Sequence, residues 1–127
     1  MYSKSFTAFR ETLVIAYYYI IIADGIIDPK EVEFGKSMIV KEGIEKDDFD
    51  KKIEILKDTS QVHIKDMLKD AMKKLSAVEQ VRIIAYMSKI ADSDGFRDPS
   101  EMSSIQEIYK ELHLHLNDII REKESII

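Results

Sequence analysis

Cysteine is absent from this chain of 127 residues. That excludes disulfides, thiol nucleophiles and cysteine-ligated zinc, and it suits a reducing cytoplasm, the expected location. Only two prolines and four glycines interrupt the chain, so few positions force a turn or break a helix. Positive charge is in deficit: 19 Lys and Arg against 24 Asp and Glu leave a formal net charge of −5. No nucleic-acid partner is expected, because phosphate binding needs a basic face. Long hydrophobic runs are missing too. The most apolar stretch, Leu13 to Ala23, is much shorter than the ~20 residues that cross a bilayer, so no transmembrane segment is expected. A signal peptide does not fit either. Glu11 precedes the stretch and Asp24-Gly25 follows it, where a basic start and a small-residue cleavage site belong. The stretch reads as a buried core helix.

Hydrophobic residues make up 45% of the chain, enough for one folded domain spanning 1–127 with a single core. Apolar spacing is helical almost throughout, which predicts an all-α bundle of about seven helices. The first runs from about Ser5 to Ala23. The second starts after Asp28 and ends before Gly43, and the third covers Asp47 to Lys57. The fourth, Gln61 to Leu75, carries an apolar stripe at Ile64, Met67, Leu68, Ala71, Met72 and Leu75. Its wet face places Asp70 and Lys74 as an i,i+4 pair. The fifth opens with Ser76-Ala77-Val78-Glu79, a capping box, and reaches about Ala91. The sixth follows Asp98 with Met102, Ile105, Tyr109 and Leu112 inward. A short seventh begins near Asn117 and carries Ile119 and Ile120. A strand over Tyr17 to Ile22 would have no second strand to pair with. The first and fifth helices are the least amphipathic, which places them at the centre.

One segment occurs twice. Asp24-Gly25-Ile26-Ile27-Asp28-Pro29-Lys30-Glu31 returns as Asp94-Gly95-Phe96-Arg97-Asp98-Pro99-Ser100-Glu101, keeping Asp, Gly, Asp, Pro and Glu in register. Each copy links an apolar helix to an amphipathic one. The fold is therefore expected to be duplicated, with halves at about 5–58 and 76–127. Helix capping accounts for much of the motif. Asp28 and Asp98 suit the N-cap, Pro29 and Pro99 the first helical position, Glu31 and Glu101 the third, and Gly25 and Gly95 a left-handed helix end.

Capping leaves Asp24, Asp92 and Asp94 unexplained. They stand at or near the C-terminal ends of the first and fifth helices, where the dipole is already negative and a carboxylate is unfavourable by several tenths of a kcal/mol. A bound cation reverses that sign, and hard divalent ions prefer all-oxygen surroundings. Asp92-x-Asp94-Gly95-x-x-Asp98-x-x-Glu101 overlays part of the EF-hand register. The match fails at its first position (Ile90), at its eighth (Arg97) and at the proline that follows. An EF-hand is rejected, and oxygen ligation is kept. If successive helices alternate in direction, the first and fifth run parallel and both acidic loops meet at one end of the bundle.

These residues, an apolar helix running into Ala23-Asp24-Gly25-x-x-Asp28-Pro29-x-Glu31 and again into Ala91-Asp92-x-Asp94-Gly95-x-x-Asp98-Pro99-x-Glu101, resemble the TerB family. That family includes tellurite-resistance proteins and the related N-terminal domain of the co-chaperone DjlA. The resemblance covers essentially the whole chain. It implies an all-helical, internally duplicated domain with a role in tellurite resistance or metal and envelope stress. It carries a divalent-metal role onto Asp24, Asp28 and Glu31, and onto Asp94, Asp98 and Glu101. The copies differ at one point: Ile22 stands where the second has Asp92. No J-domain accompanies the motif, so a chaperone role is not implied.

Other residues carry less. His113 and His115 read as a hinge between the sixth and seventh helices, and His63 as exposed. Tyr17, Tyr18 and Tyr19 span a full helix circumference, so at least one is expected to reach solvent or a partner. No nucleophile–base order, phosphate-cradling loop or Glu-x-x-His motif appears, so an enzyme is not expected. The reading is a cytoplasmic stress-response protein that binds a divalent cation, calcium or magnesium rather than zinc. It acts through protein partners, other stress-resistance proteins among the candidates, and a homodimer is compatible with it. The alternative is a metal-independent helical interaction domain.

Overall fold

The computed structural model describes residues 2–23, 25, 27–93 and 99–126, with the side chain of Ser100 outside that set. Within them the chain forms seven helices and no strand. These are α1 (Ala8–Ile21), α2 (Pro29–Glu42), α3 (Lys46–Lys57), α4 (Gln61–Lys73), α5 (Ala77–Asp92), α6 (Pro99–Glu111) and α7 (Leu116–Ser125). None is long and apolar enough to cross a membrane.

Local chemistry sets most boundaries. Thr7, Asp28, Ser60 and Ser76 each accept a backbone N–H of the helix that follows. Ser76 and Glu79 form the expected capping box. Helix α2 closes on Gly43 in the left-handed region, at φ +70°. A Cβ there would also sit 3.1 Å from the Arg10 guanidinium. Arg10 reaches this corner because its Nε donates to the Glu42 carbonyl at 2.8 Å and its Nη1 to the Ser5 carbonyl at 2.7 Å. The N-terminal segment is held further along, where the Ser3 N–H donates to Asp48 Oδ1 at 2.8 Å and the Ser3 hydroxyl donates to the same carboxylate.

The centre of the bundle is α1. It packs against α2, α3, α4 and α5, while α5 in turn meets α2, α6 and α7. Every residue from Thr12 to Ile21 is buried. This corrects one expectation: Tyr17, Tyr18 and Tyr19 are all inside, at 3%, 9% and 4% exposure. A helix enclosed by four others has no wet side, so a tyrosine triplet around its circumference meets protein in every direction.

Other expectations shift in smaller ways. In α4, Ile64, Leu68 and Met72 are fully buried, as the stripe implies. The Asp70–Lys74 pair is not formed; Lys74 is the C-cap residue of the helix. Lys65 and Lys69 instead reach across to Glu107 and Glu111 of α6, at 2.6 and 3.0 Å. In α6, Ile108 joins Ile105 as a core residue, while Met102, Tyr109 and Leu112 are half-buried. In α7 only Ile119 turns inward; Ile120 is 45% exposed.

The turn between α6 and α7 contains His113 at φ +57°. The His113 N–H donates to the Lys110 carbonyl and the Leu114 N–H to the Tyr109 carbonyl, both at 3.1 Å. These are the paired bonds of a left-handed helix terminus, a position that favours glycine. His113→Gly is therefore expected to raise stability by about 0.5–1 kcal/mol, read from the urea midpoint; no gain would mean the histidine ring contributes packing that offsets its backbone cost.

Candidate metal centre

Contacts between distant residues fix the relative direction of the central helices. The Arg10 side chain, near the start of α1, bonds the Glu42 carbonyl at the end of α2. The Glu42 carboxylate accepts from Arg82, in the first half of α5, at 2.6 Å. Further along, Phe34 of α2 meets Tyr86 of α5 edge-on at 6.4 Å between ring centres. Lys30 and Glu33, in the first turns of α2, share a cavity with Lys89 and Asp92 at the end of α5. Helix α2 is thus antiparallel to both α1 and α5, so α1 and α5 run the same way. The described residues that flank the two acidic loops lie at one end of the bundle, as the alternation argument expected.

Four of the seven candidate ligands have a definite place among the described residues. Asp28 is the N-cap of α2, and its Oδ1 accepts the Lys30 N–H at 2.7 Å. Glu31 is the third residue of α2 and is only 3% exposed. Glu101 is the third residue of α6 and is 4% exposed. Charged side chains are seldom so fully buried, and here the same position of the same motif is buried twice. Asp92, on the last turn of α5, forms an ion pair with Lys123 of α7. Asp24, Asp94 and Asp98 lie outside the described residues, as does Gly95. Among the described residues, no three acidic or histidine side chains come close enough to hold one ion.

The surroundings of Glu31 were not legible as a site. Tyr17 of α1 lies across α2, and its hydroxyl donates to the Glu31 backbone carbonyl at 3.3 Å. The approach requires Gly35, one turn beyond Glu31: a Cβ there would fall 2.5 Å from the tyrosine ring. Burial, and then the charge of Glu31, push the Tyr17 hydroxyl up to about 12, so it remains a protonated donor at any physiological pH. Gly35 inside a helical pattern is the sequence signature of such a close approach. In the second copy, Met87 and Ile105 hold the corresponding places, and both are core residues. The two motifs thus share a buried glutamate but differ in what packs behind it.

Gly25 follows the α1 terminus in the left-handed region at φ +81°, with its N–H on the Ile22 carbonyl at 3.0 Å. This is the helix-ending role assigned to it above.

Chemically, Glu31 and Glu101 are oxygen donors on rigid supports. Each sits in the first turn of a helix, where the dipole favours negative charge. Burial restricts their rotamers, and hard cations such as calcium and magnesium take carboxylate oxygens held in this manner. Asp92 is another carboxylate oxygen donor, paired with Lys123.

The family model described as tellurite resistance protein TerB matches residues 10–124. No curated protein and no solved structure matches the chain significantly.

Proposed function

The chain belongs to the TerB family, and from that premise we propose that it binds a divalent cation at the end of the bundle where its two acidic loops originate. The observation that carries this reading is the paired burial of Glu31 and Glu101 at 3% and 4% exposure. Both stand three residues into helices opened by Asp-Pro. The proposed ligand set is Asp24, Asp28 and Glu31 from the first motif, and Asp92, Asp94, Asp98 and Glu101 from the second. Calcium or magnesium fits this all-oxygen set better than zinc, which favours nitrogen and sulfur. The role is non-enzymatic and cytoplasmic: a cation-responsive component of a tellurite or metal stress response that acts through protein partners.

Calorimetric titration with calcium, magnesium, manganese and zinc tests the proposal. Binding in the micromolar to millimolar range is expected for calcium or magnesium. Glu31→Gln and Glu101→Gln each keep the side-chain volume and remove a negative charge, and each is expected to weaken binding at least about tenfold. Absence of heat up to millimolar metal, with the chain folded by circular dichroism, ends the proposal.

One observation favours the second reading, a helical interaction domain without metal. The Asp92–Lys123 ion pair already neutralises one carboxylate of the set. On that reading Lys123→Gln changes no metal isotherm, whereas cation binding at Asp92 tightens when its competitor is removed.

A further inference from the structure

Cations are the minority on this chain, yet several gather along one groove between α2, α5 and the end of α7. Lys30, Lys89 and Lys123 border a cavity of about 520 Å³. Lys41 and Lys89 border an adjoining one of about 250 Å³. Lys36 and Lys41 border a third of about 490 Å³. Ser37 borders all three, so they adjoin along α2.

The floor of the middle cavity is apolar, made by Phe34, Met38, Tyr86 and Ile126. Val40, in the third cavity, is 82% exposed, the most exposed large apolar side chain among the described residues. Two of the lysines are engaged, Lys36 with Glu33 at 3.2 Å and Lys123 with Asp92. Lys30, Lys41 and Lys89 have no carboxylate within ion-pair distance among the described residues.

We infer that this groove is a docking site for an acidic linear segment of a partner protein, with one apolar side chain of the segment seated between Lys41 and Lys89. Shape and charge select that occupant together. The middle cavity is the most enclosed part and the ends are open, which suits a peptide that seats one side chain better than a flat lipid surface. Its middle has an apolar floor and room for one large side chain, and five lysines border the groove against two carboxylates, Glu33 and Asp92. A single phosphate would use the lysines and leave the floor uncovered. The rim charges would steer an acidic partner toward a chain that otherwise repels it.

The test uses the full chain and a fluorescein-labelled peptide of glutamates around a central leucine, followed by anisotropy at low and physiological salt. Micromolar binding that weakens as salt rises is expected. The double variant Lys41→Glu with Lys89→Glu should lose at least about tenfold in affinity. A matched double variant outside the groove, Lys73→Glu with Lys110→Glu, should lose less than twofold, and replacing the peptide's leucine by serine should weaken binding severalfold. Loss of the amide shifts of α2 and α5 in the first variant, with an unchanged circular dichroism spectrum, separates lost docking from lost folding. The inference is overturned by no binding up to millimolar peptide, by equal losses in the two double variants, by tighter binding to phosphatidylserine vesicles than to the peptide, or by a dimer of the chain that occupies the groove. It does not depend on the metal: peptide binding with chelator present supports it whichever way the cation titration falls.

Discussion

Gly35→Ala is expected to destabilise the protein, although alanine is the better helix former. In an exposed helix interior the same change would stabilise by ~1 kcal/mol. Here the new methyl would lie 2.5 Å from the far end of the Tyr17 ring. That ring is buried at 3% exposure and packs on Phe49 with ring centres 5.8 Å apart. It has little room to retreat, and moving it breaks the hydrogen bond to the Glu31 carbonyl. Overpacking of a tight core costs about 1–3 kcal/mol and the lost bond about 1 more. The expected net cost is about 1–3 kcal/mol, a large share of the ~5–15 kcal/mol that holds a domain folded.

The decisive measurement is a sign change. Tyr17→Leu removes the ring atoms that the methyl would strike. In that background Gly35→Ala should become neutral or stabilising, by up to about 1 kcal/mol. Urea midpoints of the four proteins give the coupling. If Gly35→Ala costs the same in both backgrounds, the glycine answers to something other than Tyr17. The alkaline limb adds a second readout. The Tyr17 pKa is raised by burial to about 12, so its contribution is complete below the ordinary tyrosine value near 10 and is lost as pH climbs toward 12. Tyr17→Leu should flatten that limb.

Much of the frame was readable from residues acting on their near neighbours. Ser76 and Glu79 announced the start of α5, and Asp28-Pro29 announced the start of α2; both are bonds within one turn. The apolar stripe of α4 was legible because period alone decides which side is inward. The parallel course of α1 and α5 also followed from element order. What escaped depends on juxtaposition. Nothing near Tyr17 in sequence says that four helices enclose it, and nothing near Asp92 points to Lys123 on a helix two elements later. Ile119 and Ile120 are chemically alike, and only the angle at which α7 meets α5 sends one in and leaves the other 45% exposed. For the candidate site the division is the same: the motif marked Glu31 and Glu101, but only the fold revealed that both are buried.

The largest polar effect should come from Arg82→Met. Glu42 ends α2, where the helix dipole disfavours a carboxylate, and its side chain is only 11% exposed. Arg82 of α5 compensates by donating from Nη2 at 2.6 Å and from Nε at 3.4 Å, while its Nη1 reaches Glu122 of α7 at 2.7 Å. The Tyr86 hydroxyl donates to the same Glu42 carboxylate, and the guanidinium lies 5.4 Å from the centre of the Tyr86 ring. One arginine thus joins three helices. Burial pushes the Glu42 carboxyl up, but the hydrogen bonds from Arg82 and Tyr86, with the Arg82 charge, outweigh it and leave the group below its ordinary value. Methionine fills similar volume and removes all of the positive charge. Breaking a fully buried pair costs ~3–5 kcal/mol. Arg82 keeps 30% of its side chain in water, so about 2 kcal/mol is expected at pH 7. The pH dependence identifies the cause. A depressed carboxyl contributes stability that is complete above the unfolded value near 4.3 and is lost as pH falls through the folded value. The difference between the native chain and Arg82→Met should therefore hold from pH 7 to about 5 and shrink below about 4.3, as Glu42 takes up a proton. Urea unfolding at pH 7, 5 and 3 measures it. A difference that stays constant over that range would assign the loss to packing of the arginine stem over Tyr86 rather than to its charge.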